Sequence, residues 1–273
     1  MFTAYASGTG STLRDRRLSR PGAWCEAAHR ERWQKCGLPE DTRCKTNPTV
    51  ALERLQAVVQ AGTVRFRWVT WAEACGREPT CLDGVAAVPR WDRAAVPHET
   101  RVWLTRPATA VPAWSGRGRR PHTARLVPGA PAPPRVAQLV ATLPAEAWPP
   151  ALSTEGSTGP LVAECACPRG VAVRAGVPGP DVWIVLRRAL GADPERTVSL
   201  STAPAQTPIA TLVRVTGRRW PIETALEESK GGLGMDHYEV RSWLGWQQHI
   251  TLCLLAQHFL VRARARVKKG RRR

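Results

Sequence analysis

Between about Pro89 and Pro150 the chain is dominated by proline, arginine and glycine, as in Ser115-Gly116-Arg117-Gly118-Arg119-Arg120-Pro121 and Pro128-Gly129-Ala130-Pro131-Ala132-Pro133-Pro134. Proline fixes φ and removes a backbone donor, and glycine loses the most chain entropy on ordering, so neither residue continues a helix or a central strand well. The stretch is expected to run as loops, and regular structure must then be assembled from the segments on either side. Upstream, Leu52, Leu55, Val58 and Val59 recur at helical spacing between Thr49 and Ala61, ahead of the apolar run Phe66 to Trp71, which reads as a strand. Downstream, Val171 to Val173, Val182 to Leu186 and Val198 to Leu200 are β-rich runs separated by turn residues. Strands and helices in this order indicate an α/β chain.

The C-terminal third reads as helical. Thr207 is a candidate N-cap with Pro208 in the first turn of a helix through Ile209, Leu212 and Val213. Pro221 cannot donate a backbone hydrogen bond, so that helix kinks or restarts there, and Gly231-Gly232-Leu233-Gly234 reads as a helix stop. A last helix is expected from about Ser242 to Val267, with Trp243, Trp246, Ile250, Leu254 and Val261 as its packed face. His249 and His258 lie on that apolar helix and read as packing or helix-face residues.

Composition narrows the partners. The 273 residues carry a formal charge of +18, with only five lysines among the forty basic residues. Arginine's planar, permanently charged guanidinium suits phosphate contacts, although an Arg-, Ala-, Pro- and Gly-rich chain also reflects coding bias. The basic run Arg262, Arg264, Arg266, Lys268, Lys269, Arg271, Arg272, Arg273 reads as a solvated tail with nonspecific phosphate affinity. No apolar stretch is long enough for a membrane span, and the N-terminus lacks the apolar core of a secretory signal, so a cytoplasmic location with no membrane partner is expected. The eight cysteines include no C-x2-C pair, so no zinc site is expected and the thiols should be reduced.

One charged constellation stands out. Arg219 is followed after three residues by Glu223 and after six more by Lys230. Steps of four and seven return side chains to one helix face, so a carboxylate between two cations could hold a divalent metal and DNA phosphates. The same spacing also describes an exposed, ion-paired helix. A restart at Pro221 would leave Arg219 outside the regular helix, with Glu223 and Lys230 still on one face.

The run Arg219 to Lys230, then Gly234-Met235-Asp236-His237-Tyr238-Glu239-Val240-Arg241-Ser242-Trp243 and Gly245-Trp246 with His249, resembles the C-terminal part of DDE transposases of bacterial insertion sequences, specifically the 701-type group. The resemblance extends through Phe2 to Ser7, Thr100 to Leu104, Val111 to Gly118, Gly159 to Glu164, Asp181 to Arg188 and Ala203 to Pro208. In the related Tyr-(2)-Arg-(3)-Glu-(6)-Lys signature, Glu223 falls on the last acidic residue of the catalytic triad and would be both catalytic and a metal ligand. Arg219 and Lys230 fall on its DNA-contacting companions, and Arg241 joins them as a DNA-binding candidate. Thr216 stands where the tyrosine would be.

The resemblance implies an α/β, RNase H-like core, Mg2+ or Mn2+ as cofactor, and DNA as partner. The expected partition is a partial core over residues 1–95, an inserted loop-rich and β-rich region over 96–205, C-terminal catalytic-type helices over 206–267 and a basic tail over 268–273. Two departures bear on activity. In Arg67-Trp68-Val69-Thr70-Trp71-Ala72-Glu73-Ala74-Cys75-Gly76, Ala72 occupies the place of the second catalytic aspartate. An alanine methyl supplies no metal ligand, and Glu73 could replace it only if the preceding strand has already ended. The first catalytic aspartate of the family lies upstream of the segment matching Phe2 to Ser7, so the core is expected to be incomplete at its N-terminus, leaving a gap or a new pairing in the sheet. The expected function is that of a transposase-derived, catalytically inactive DNA-binding protein, with full-length transposase as a second partner; the alternative is the product of a decayed insertion sequence with no selected function.

Overall fold

In the computed structural model, residues 1–7, 10–20, 22–40, 42–156, 159–190, 196–218 and 220–270 are described. The chain is mixed α/β and divides into two units, residues 1–55 with 218–273 and residues 56–217. In the first unit β1 (Phe2–Ser7) and β2 (Gly10–Arg16) form an antiparallel hairpin with a bulge between Thr3 and Ala4. The short helix α1 (Arg30–Lys35) follows, and α2 (Asn47–Ala61) carries the chain into the second unit.

The second unit opens with β3 (Trp68–Trp71), the short helices α3 (Glu73–Gly76) and α4 (Pro79–Ala86), and β4 (Trp91–Ala95). Then come β5 (Val102–Trp103), a small ribbon of β6 (Thr109–Ala110) and β7 (Arg125–Leu126), and α5 (Val136–Thr142). Strands β8 (Pro150–Gly156), β9 (Gly159–Ala166), β10 (Arg169–Arg174), β11 (Val177–Ala189) and β12 (Arg196–Ser201) lead to α6 (Ile209–Gly217). The chain then returns to the first unit as α7 (Trp220–Leu233) and α8 (Trp243–Gly270).

The main sheet has eight strands in the order β3-β4-β12-β11-β10-β5, with β9 also on β11 and β8 on β9. Among the described residues only β3 and β4 run parallel in it. Its organising strand is β11, which pairs β12 along one edge and divides the other between β10 and β9. The alternation of a strand puts Val182, Ile184 and Leu186 on one face, packed with Val136 and Leu139 of α5 and with Trp148. Trp183 and Val185 point to the other face, where Leu212 of α6 and Ala203 cover them. The uninterrupted apolar run Val182 to Leu186 is therefore explained by burial on both faces.

A two-stranded hairpin is marginal by itself and needs a helix on its apolar face. In the first unit α7 and α8 meet that need: Leu13 of β2 is buried with Ala225, Met235, Ile250, Cys253 and Leu254. The buried side chain of Gln257 accepts hydrogen bonds from the Leu13 backbone N–H (3.2 Å) and the Thr12 hydroxyl (2.8 Å), so α8 satisfies a donor that a hairpin edge would leave unpaired. Arg16 reaches Gln247 Oε1 and Thr251 Oγ1 on the same helix, each at 2.6 Å.

Several expectations need adjustment. The stretch from Pro89 to Pro150 is not all loop: β4 is an interior strand of the main sheet, between β3 and β12, and α5 packs on the core. The α6 helix opens at Ile209, with the Pro208 carbonyl accepting from Thr211 (2.8 Å) and Leu212 (3.3 Å), one residue later than the capping pattern implies. Helix α8 continues through Gly270, so Arg262, Arg264 and Arg266 lie on a helix, and Arg264 pairs with Glu228 at 2.8 Å; residues 271–273 lie outside the described residues. Cys25 and Cys44 form a disulfide, against the expectation of reduced thiols; Cys36, Cys75, Cys81, Cys165, Cys167 and Cys253 take part in no disulfide. Among the described residues, β1 pairs with β2 and β3 with β4, so the strand at Phe2–Ser7 and the strand at Trp68–Trp71 belong to different sheets.

Candidate active site

Helix α7 restarts the chain at Trp220-Pro221, where a proline in the first turn costs no hydrogen bond because the N–H there has no intrahelical partner. Its inner face, Ile222, Ala225 and Leu226, packs with Leu13 and Ile250, which fixes the rotation of the helix. Glu223 sits in the first turn, half-buried, and Lys230 in the last turn, exposed. Seven residues separate them, about 10 Å along the axis. This placement also suits the helix dipole, with an acid near the N-terminus and a base near the C-terminus.

The helix stops where glycine allows it: Gly234 adopts φ +62°, a left-handed conformation that terminates α7 after Leu233. The connection that follows is pinned by the Tyr238 hydroxyl donating to Ser242 O (3.0 Å) and by His249 Nε2 lying 3.3 Å from Met235 O. Arg241 is exposed on this connection. Thus Glu223 and Lys230 share one helix, Arg241 lies on the segment after it, and Arg219 falls outside the described residues. Thr216 is buried in α6, its hydroxyl donating to Leu212 O at 3.1 Å.

In the second unit β3 ends at Trp71. Ala72 is extended (φ −72°, ψ 164°) and immediately precedes α3, with no side-chain cap. Glu73 opens that helix, so the strand has ended before it. Its carboxylate is held by the Arg77 guanidinium, with Nε at 3.0 Å and both side chains about half exposed. The carboxylate beside Arg77 holds the guanidinium pKa above its ordinary value. Gly76 closes α3 against β4: a Cβ there would lie 1.8 Å from the Ala95 carbonyl oxygen, so only glycine permits this approach. Gly76, Arg77, Glu99 and Arg174 line a shallow cleft of about 360 Å3 beside the helix.

One further acid carries no mark in the sequence. Asp92 of β4 stands in register with Val69 of β3 and is almost wholly buried. Its carboxylate accepts the Thr202 backbone N–H (2.9 Å) and the Thr202 hydroxyl, while the Ser201 hydroxyl donates to Asp92 O (2.6 Å). Burial pushes its pKa up, against the lowering effect of those hydrogen bonds. No spacing marked it, because Asp92 lies in a stretch read as loop and its partners are more than a hundred residues away.

A metal-dependent nuclease centre needs several hard oxygen ligands held together. The residues present do not fit: Ala72 offers a methyl group, Glu73 is engaged by Arg77, and Asp92 is committed to Thr202. Among the described residues no group of three or more His, Cys, Asp or Glu side chains is placed to hold a metal ion. Among the same residues no helix is long and apolar enough to cross a membrane.

A comparison with curated proteins finds no match. The family model of the DDE superfamily endonucleases matches residues 1–160, which takes in β1 through the start of β9 and includes Ala72 and Asp92, and stops ahead of Glu223. That family has transposase-like nuclease function, acts on DNA and generally uses divalent metals such as Mg2+. With more than half its length matched, the chain belongs to the DDE superfamily endonucleases.

Proposed function

We propose that this chain is a 701-type insertion-sequence transposase relative that binds DNA without cutting it. The observation that carries the reading is Ala72: it stands between the end of β3 and the start of α3, where the resemblance puts the second catalytic aspartate, and its methyl group cannot ligand Mg2+ or Mn2+. Glu223 is then the remaining acid of a family-type metal site, and Arg219, Lys230 and Arg241 contact phosphates. The exposure of Lys230 and Arg241 supports that role. The partition into an RNase H-like core (1–95), an inserted region (96–205) and catalytic-type helices (206–267) follows the family pattern and is part of this proposal, as is pairing with a full-length transposase.

The reading is tested with duplex DNA in a gel-shift titration at about 50 and 200 mM salt, alongside a strand-cleavage assay in Mg2+ and in Mn2+. Binding that weakens steeply with salt, without cleavage, is expected. Metal-dependent cleavage by the unaltered chain would overturn the inactivity. Loss of that cleavage in Glu73→Gln would show that Glu73 has replaced the aspartate. No retardation at low salt favours the product of a decayed insertion sequence, whereas a cooperative unfolding transition argues against that alternative.

A further inference from the structure

The ribbon formed by β6 and β7 belongs to neither the main sheet nor its core. Thr109 pairs with Leu126 and Ala110 with Arg125, and the Val127 N–H extends the ladder to Ala108 O at 3.2 Å. Its root is anchored to the second unit. Arg106 bonds Asp181 (2.7 Å) and Gly179 O (2.9 Å), the Trp103 indole donates to Pro131 O (2.8 Å), and the Val102 N–H to Pro134 O (3.2 Å). Beyond that root every residue from 108 to 120 is exposed.

The projecting tip combines an aromatic platform with uncompensated positive charge. Trp114 is 52 % exposed, although a free indole is normally covered by its own protein. It is not loose: its Nε1–H donates to Gly118 O at 3.3 Å, and the turn that brings this carbonyl back is made by Gly116 and Gly118 at φ +84° and +72°. The hydrogen bond occupies the edge of the ring and leaves ring surface in solvent. Arg117, Arg119 and Arg120 are carried on the same turn, with Arg125 at the neck, and no acidic residue occurs between Glu99 and Glu146 to neutralise them.

We propose that this tip is a second nucleic-acid site that takes an unpaired DNA base, with Trp114 stacking on the base and Arg117, Arg119 and Arg120 holding the flanking phosphates. In a duplex the base faces are already stacked on one another, so an indole face finds a partner only at a strand end, a gap or a flipped base. The arginines, by contrast, serve either form of DNA. Preorganisation of the ring by Gly118 reduces the entropy lost on stacking. The site rests on the DNA-binding reading above and is distinct from the residues of α7 and its following connection.

The test compares the full chain with Trp114→Ala and with the triple variant Arg117→Gln, Arg119→Gln, Arg120→Gln, each titrated with a single-stranded oligonucleotide and with the blunt duplex of the same sequence. Trp114→Ala is expected to weaken single-strand binding about tenfold and duplex binding less than about twofold. The triple variant should weaken both and flatten the single-strand salt dependence by about two units of log–log slope. Both variants alter exposed residues, and an unchanged unfolding transition verifies that they fold. If the unaltered chain binds neither DNA, the DNA-binding reading fails and this inference with it. If it binds DNA but Trp114→Ala changes nothing, or lowers both affinities equally, the stacking site alone is overturned.

Discussion

The Asp92 carboxylate, buried in the main sheet, accepts both the backbone N–H and the hydroxyl of Thr202, and this single residue ties β4 to the segment leaving β12. Burial raises its pKa above the unfolded value of about 3.9. The folded state therefore holds this proton more tightly than the unfolded chain. The associated stability is fully present below the unfolded pKa and is lost as pH rises through the raised folded value. Asp92→Asn keeps an acceptor oxygen for Thr202 and cannot ionise. Its urea midpoint relative to the unaltered protein should increase as pH is raised from about 4 to 7. A difference independent of pH would mean that ionisation of Asp92 is without cost in the fold.

Gly76 and Gly231 separate a packing requirement from a conformational one. At Gly76 a methyl group would collide with the Ala95 backbone, so Gly76→Ala is expected to destabilise by about 3 kcal/mol. At Gly231, in the last turn of α7, a methyl group meets nothing within 4 Å, and Gly231→Ala should stabilise by about 0.5 to 1 kcal/mol. Thermal unfolding of the two variants reads both signs. Equal small effects would place α3 further from β4 than described.

Thiol titration tests the disulfide directly. With Cys25 paired to Cys44 and the other six cysteines outside any disulfide, the denatured, unreduced protein should release six thiols, and eight after reduction. Eight thiols without reductant would restore the expectation that all the cysteines are reduced.

Lys230 and Arg241 are exposed, so their replacement isolates charge from folding. Each of Lys230→Gln and Arg241→Gln should reduce the duplex salt slope by about 0.9 and leave the unfolding midpoint within about 0.5 kcal/mol. An unchanged slope in both would leave Lys230 as the favourable C-terminal charge of an ordinary helix.

Removing the side chain of Ile184, which is fully buried between α5 and the main sheet, should cost about 2 to 5 kcal/mol as Ile184→Ala, measured by urea denaturation. A loss below about 1 kcal/mol would mean that the two-sided packing of β11 collapses readily around the vacancy.

Features governed by neighbours along the chain are legible in the residues alone. Pro221 sets where α7 restarts, Gly234 with its left-handed φ sets where it stops, and the apolar run Val182 to Leu186 marks a strand covered on both faces. That Ala72 supplies no metal ligand was likewise legible, since a methyl group lacks a ligand atom in any fold. Long-range contacts settled the rest: Trp91 to Ala95 is an interior strand, Asp92 meets Thr202, and Cys25 meets Cys44. The range of the forces concerned draws this division. Caps and breakers act within one turn, whereas the hydrogen bonds that make β4 a strand come from β3, about twenty residues earlier, and from β12, about a hundred residues later, and no local pattern records them.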